Sequence, residues 1–211
     1  SDDKDLLSLN IIGTHDCVTQ FVQLSKWAKC QSMDIYNQLC TGARALDIRV
    51  NPKNERLMMV HGITKAFNGR SHLSRQMELS DVLKQVYSFL LKYPSETIVF
   101  QFKNENRKEM EKSFNILFEK YIKKDFQMWF TENRVPTIKE ARGKIVLIRR
   151  CFCEKKGKRT DFNTGIDFSN WIEQTQLVPT PLVLKSLSFD SKEKNTFIIQ
   201  DRFKYKSVPR W

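Results

Sequence analysis

The sequence predicts an α/β chain whose mainly parallel sheet is covered by helices, as either a barrel or an open doubly wound sheet. Three observations carry that expectation. Short apolar runs rich in Ile, Leu and Val alternate with stretches of helical periodicity, the pattern of βα units. Ionisable residues stand at the C-terminal ends of several runs, where a (β/α) barrel keeps its reactive groups. No Gly-x-Gly-x-x-Gly follows any run, which counts against a dinucleotide-binding sheet.

Strands are expected at residues 7–13, 45–50, 57–60, 97–102, 145–148 and 197–199. Before the fourth, Leu79, Val82, Leu83, Val86, Leu90 and Tyr93 recur at helical spacing, with Ser80 as the expected N-cap and Pro94 as the stop. Met110, Phe114, Leu117, Phe118 and Tyr121 mark a second amphipathic helix. A short third helix is expected over 137–142, ended by Gly143.

Composition sets outer bounds. A chain of 211 residues, 40% hydrophobic and 28% charged, suffices for one domain with a sizeable core. It holds no apolar run of about 18 residues, so no membrane-spanning helix is expected. The net charge of +12 favours anionic partners, meaning phospholipid surfaces, phosphorylated substrates or nucleic acid. No RNA- or DNA-reading motif accompanies that charge. The densest basic run, Lys155-Lys156-Gly157-Lys158-Arg159, reads as a solvated loop, and no nucleic-acid partner is expected. Cys17, Cys30, Cys40, Cys151 and Cys153 form no regular framework, and Cys151-Phe152-Cys153 lacks the spacing of a zinc site. Free thiols are the default, with a Cys30–Cys40 or Cys17–Cys30 disulfide open to a secreted protein.

Gly13-Thr14-His15-Asp16 closes the first expected strand, and Val60-His61-Gly62 closes the third. The chain has only three histidines. The remaining one, His72, falls in an Arg70-Ser71-His72-Leu73 loop and is expected to be exposed. Asp47 and Arg49 are two apart on the second strand and so share a face, while Arg44 takes the other. Two imidazoles supply a base and an acid near neutral pH, and a guanidinium clamps a phosphate. These are the parts needed to break a phosphodiester.

The order and spacing of these elements resemble the X domain of phosphatidylinositol-specific phospholipase C, in its metal-independent bacterial-type form. The resemblance rests on Gly13-Thr14-His15-Asp16, the stretch 38–49 (QLCTGARALDIR), Val60-His61-Gly62, and Ser95-Glu96-Thr97-Ile98-Val99 leading to Lys103. It continues through Gly143-Lys144-Ile145-Val146-Leu147 with Arg150, and through Gln200-Asp201. Each motif alone is weak; six in one order are specific. The fold implied is an irregular TIM-type (β/α) barrel. The activity implied is cleavage of phosphatidylinositol, and of glycosylphosphatidylinositol (GPI) anchors in related cases, to inositol 1,2-cyclic phosphate and diacylglycerol.

The resemblance implies His15 as general base, His61 as general acid, and Asp16 as the carboxylate that pairs with the acid. Asp47 and Arg49 would face the phosphate, and Lys103, Arg150 and Asp201 would contact the inositol hydroxyls. Arg149 competes with Arg150 for the inward direction, and the register favours Arg150. Calcium-dependent relatives carry acidic ligands where this chain has Arg49 and Lys103, so no metal or other cofactor is expected. Phe203 stands where the family commonly has a tyrosine under the inositol ring, which keeps the stacking and loses the hydroxyl.

The family's barrel continues for two or more strand–helix units beyond the position of Trp211. Residues 1–211 are therefore expected to form a single X domain lacking those last units, a C-terminally truncated barrel. The carboxylate that orients the base histidine belongs to the missing part, which leaves His15 without its orienting acid. Trp27, flanked by Lys26 and Lys29, matches the membrane-touching helix and has the composition of a bilayer-surface anchor; packing on the barrel side is the alternative. The expected partner is phosphatidylinositol or GPI at a membrane surface, met by a secreted or peripheral protein that is monomeric when full length. The competing class is a catalytically impaired phosphoinositide- or membrane-binding module of the same fold.

Overall fold

The computed structural model describes residues 2–106, 110–151, 153–155, 158–160, 164–172, 182–185 and 196–200. Parallel strands form its centre: β1 (Gly13–Thr14), β2 (Ala45–Lys53), β5 (Ile98–Asn104), β6 (Trp129–Phe130), β7 (Ile145–Arg149) and β10 (Ile166–Asp167). β5 lies between β2 and β7, while β6 and β10 follow one another along the far edge of β7. β3 (Arg56–His61) and β4 (Thr64–Lys65) add antiparallel pairs beyond β2. Among the described residues the sheet does not close on itself.

Alternation along the strands separates two cores. Leu46, Ile48 and Val50 of β2, Phe100 and Phe102 of β5, and Leu147 of β7 face the helices. There they meet α2 (Ile35–Cys40) and α3 (Leu79–Lys92), the latter burying Leu79, Val82, Leu83, Val86, Phe89 and Leu90. Such side chains contribute about 1.5–3 kcal/mol each on burial, so this face carries most of the packing energy. The opposite face is apolar at its base, where Ala45, Val99 and Val146 lie in register with Leu6 and Phe130 in the same cluster, and along β7 through Ile148. Above them come Asp47 opposite Gln101, then Arg49 opposite Lys103. The interior thus turns from apolar to charged along the strand direction, which puts the polar groups at the C-terminal rim.

Several expectations are corrected. Residues 7–13 were expected as a strand; a 3-10 turn (Leu6–Ser8) takes the first part, and only Gly13–Thr14 pair with β2. Gly13 allows that approach, since a Cβ there would lie 3.2 Å from the Ala45 Cβ. The 57–60 run is antiparallel to its neighbour, because Asn54 and Glu55, at φ 49° and 56°, fold β2 and β3 into a hairpin. The 197–199 run joins no central sheet: β12 (Thr196–Ile199) pairs with β11 (Leu182–Lys185) in a two-stranded sheet. The last parallel position among the described residues belongs instead to β10, too short to show periodicity.

Ser80 lies inside α3, whose N-cap is Glu78; the Asp81 carboxylate accepts from the Glu78 backbone N–H at 2.9 Å. The second amphipathic helix is divided into α4 (Met110–Ile116), a π-turn (Leu117–Ile122) and a 3-10 turn (Lys123–Met128). α5 (Ile138–Ala141) is capped by Thr137, and Gly143 follows at φ 68°. The basic run at 155–159 ends β8 (Cys153–Lys155) and begins β9 (Lys158–Thr160), an antiparallel pair. Cys17, Cys30 and Cys40 carry free thiols, so neither disulfide forms. No described helix is long and apolar enough to cross a membrane.

Candidate active site

The site occupies a break in the edge of β2. One edge pairs with β5 at residues 45–50, while the other pairs with β1 at residues 45–46 and with β3 at 50–53. β1 and β3 run toward each other and stop short, leaving residues 47–49 between their ends. His15 follows the end of β1 and His61 ends β3, so the histidines converge on Asp47 and Arg49. The turn after β1 fills the break: Cys17 donates from its N–H (3.3 Å) and its thiol (3.1 Å) to the Asp47 carbonyl.

Asp16, fully buried and left-handed at φ 45°, is the hub. Aspartate is among the few residues that tolerate that conformation. Its Oδ2 lies 3.0 Å from His15 Nε2 and 3.2 Å from His61 Nε2, and its Oδ1 lies 3.0 Å from Arg49 Nε. The imidazole rings stand at 87° with centroids 6.5 Å apart. His61 Nδ1 is 2.8 Å from the Ala28 carbonyl. The two His61 nitrogens thus face the Ala28 carbonyl on one side and the Asp16 carboxylate on the other.

Asp47 anchors the cations. Its Oδ2 accepts from Arg49 Nε (2.9 Å), Arg49 Nη2 (2.8 Å) and the Asp16 N–H (3.2 Å), and lies 3.7 Å from His15 Nδ1. Its Oδ1 accepts from Gln101 Nε2 at 3.0 Å and faces Arg150 at 3.9 Å. Burial pushes the Asp47 carboxyl up, but Arg49, helped by Arg150 and His15, outweighs it and holds the group below the ordinary carboxylate range. Burial likewise works against the charge of Arg49; Asp47, then Asp16, reverse that effect and raise its pKa. Glu105 joins the remaining cations, 3.3 Å from Arg49 and 3.2 Å from Lys103.

The structure therefore brings together His15, Asp16, Asp47, Arg49, His61, Lys103 and Arg150. Arg150 turns toward the site with its guanidinium 4.0 Å over the Trp171 ring; Arg149 turns away into a buried pair with Asp167 at 3.0 Å. Trp27 stands apart on α1 (Ser25–Ala28), 88% exposed, so packing against the barrel does not account for it. His72 is exposed, and Arg44 pairs with Glu96 at 2.7 Å outside the site. Asp201 and Phe203 lie outside the described residues.

The His15 ring faces two carboxylates of this chain, Asp16 at 3.0 Å and Asp47 at 3.7 Å. Sequence reasoning passed over Gln101 and Glu105, which the period-two rule applied to Lys103 would have found. Trp171 had no sequence signal. Nor did Cys30, which lies within 4.8 Å of His15 and Asp16, counted between potential ligand atoms.

The sequence profile described as phosphatidylinositol-specific phospholipase C, X domain, matches residues 12–151. The chain belongs to that family. The 1-phosphatidylinositol phosphodiesterase of Staphylococcus aureus is 33% identical over 158 residues, 71% of this chain and 48% of the relative. The Listeria monocytogenes protein of the same name is 32% identical over 157 residues, 70% and 45% respectively. The chain thus spans about half the length of the curated relatives it matches. A solved S. aureus phosphatidylinositol-specific phospholipase C superposes with TM-score 0.71 at 26% identity, covering 97% of this chain and 65% of that one. The L. monocytogenes enzyme gives 0.62 at 28% identity, covering 83% and 64%. The X-domain sheet described above is accordingly that of an irregular TIM-type barrel.

Proposed function

We propose that this X domain is the catalytic part of a phospholipase C that cleaves phosphatidylinositol, with GPI anchors as a related substrate, without a metal ion. The observation that carries the reading is the pair of perpendicular imidazoles sharing Asp16 beside the buried Arg49. His15 takes the proton of the inositol 2-hydroxyl, whose oxygen attacks the adjacent phosphorus. The bond from phosphorus to the glycerol oxygen breaks, and His61 gives that oxygen a proton. The products are inositol 1,2-cyclic phosphate and diacylglycerol. Arg49 offsets the charge that grows on the phosphoryl oxygens, and Asp47 fixes its direction. Lys103, Arg150, Asp201 and Phe203 hold the inositol ring.

Arg49 and Lys103 support the metal-free form, because cations where relatives place acidic ligands repel calcium rather than bind it. Access to lipid is supported by an exposed apolar rim: Leu24 at the start of α1, Trp27 within it, and Ile63 at the turn after His61. The Gln23 N–H donates to the Lys65 carbonyl at 3.0 Å, which ties these segments together at the mouth. Exposed Lys26 and Lys29 add attraction to anionic headgroups. The rival reading, a binding module without catalysis, has no use for two histidines on one carboxylate.

Phosphorus NMR on phosphatidylinositol vesicles tests the proposal. The protein should release cyclic phosphate in excess chelator, and His15→Ala and His61→Ala should each lower the rate by at least ~100-fold. Vesicle binding with no cyclic phosphate from the unaltered protein would favour the binding module instead.

A further inference from the structure

We infer that His15, Asp16 and Cys30 form a binding site for one thiophilic divalent cation of the zinc class, whose occupation blocks the proton chemistry of His15. The second half of this inference rests on the reading of His15 as the base. The three residues offer a nitrogen, an oxygen and a sulfur within 4.8 Å of one another. Such a mixed set selects zinc-like ions over calcium or magnesium, which take oxygen alone. Tetrahedral zinc with ordinary bond lengths separates its ligands by about 3.3–3.7 Å. An adjustment of about an ångström therefore closes the set. It falls on His15 and Cys30, which reach the surface, and not on the fully buried Asp16.

A second observation points to a ligand. Both Asp16 carboxylate oxygens are buried, and neither accepts a hydrogen bond of proper geometry. Their ionic neighbours at 3.0–3.2 Å compensate only in part. A cation between Asp16 and His15 Nε2 would supply the partner those oxygens lack and draw in the sulfur from the open side. Arg49 opposes this, and Asp47, next to His15 Nδ1, offsets Arg49.

The loop that carries Cys30 is held in place for the purpose. The hydroxyl of the buried Thr19 donates to the Asp16 carbonyl (2.8 Å) and accepts from the Cys30 N–H (2.9 Å) and the Gln31 N–H (3.2 Å). The Gln31 side chain donates to the His15 carbonyl at 2.8 Å. The backbones of Asp16 and Cys30 are thus joined through Thr19, and that of His15 is tied to the same loop by the Gln31 side chain, as outer partners fasten known metal ligands. Burial, then the charge of Asp16, raises the Cys30 thiol pKa, so the sulfur keeps its proton until a cation displaces it.

Cobalt and zinc titrations of the full chain test the inference with and without an activity readout. Unaltered protein should bind one Co2+ with a sulfur-to-metal charge-transfer band, and one Zn2+ in competition with a chromophoric chelator. Zn2+ should inhibit phosphatidylinositol cleavage, and chelator should restore it. Cys30→Ala should abolish the band and weaken Zn2+ binding and inhibition by at least ~10-fold, with cleavage in chelator unchanged. Cys30→Ser should keep the loop, lose the band and confirm that sulfur is the ligand. Absence of saturable binding, or equal binding and inhibition in Cys30→Ala, would overturn the site. Loss of the band in Cys40→Ala instead would overturn it as well. Binding through Cys30 that leaves cleavage untouched would uphold the site and remove His15 from the base role.

Discussion

Replacing Asp16 with Asn isolates what its charge does for the two histidines. Asparagine fits the same volume and tolerates the left-handed backbone at φ 45°, so the turn after β1 should keep its course. Unit charges 3.2 Å apart, the distance to His61, interact by about 5 kcal/mol at an effective dielectric of about 20. His15 and Arg49 draw on the same carboxylate, so only part of this serves His61. A loss of about 3–4 kcal/mol of transition-state stabilisation follows, or roughly 10²–10³ in turnover. The assay compares two leaving groups. Phosphatidylinositol expels an alkoxide that needs a proton, whereas a nitrophenyl ester of inositol phosphate expels a phenolate that does not. The variant should lose its ~10²–10³ on the lipid and within about tenfold on the nitrophenyl ester. Equal losses on both would refute the claim that Asp16 acts through the acid, and a lipid rate within a few-fold of normal would remove it from the mechanism.

Three further outcomes are expected. Asp167→Ala removes the carboxylate that pairs with the buried Arg149, and should cost about 3 kcal/mol in urea denaturation. Glu140, held at about 2 first by Arg134 and then by the Thr137 N–H, adds stability above its ordinary value of 4.5 and loses it as pH falls toward about 2. Over that window the melting temperature of the unaltered protein should fall more steeply than that of Glu140→Gln; parallel curves would contradict the assignment. Trp27→Ala should weaken binding to anionic vesicles while leaving cleavage of a soluble short-chain substrate intact, and a joint loss would make Trp27 a packing residue.

What the sequence disclosed follows from how local each signal is. Asp47 and Arg49 were placed on one face by strand alternation alone, and the same rule reaches Gln101 and Lys103 on β5 and Glu105 just past its end. The apolar stripe of α3 was legible because six buried residues repeat over three turns and more. Pairing direction was not legible at 57–60: an apolar run reads alike in parallel and antiparallel surroundings, and the decision lay with two left-handed residues in the turn before it. The Ile166–Asp167 strand is too short to carry any period. The partners of His15 were hidden for a different reason. Asp47 is far along the chain and Cys30 approaches through an irregular loop, so no spacing rule connects them.

The interrupted edge of β2 acts as a ruler. The two histidines lie just past the paired ends of two strands aimed at one another, across the three β2 residues, 47–49, that neither strand pairs. Lengthening the hairpin tip at Asn54 and Glu55 moves neither tip while the pairs below it hold. Deleting one residue from 47–49 would close the interval by about 3.3 Å and turn every later side chain of β2 to the opposite face. Loop length there can drift freely; the count of residues inside the interval cannot.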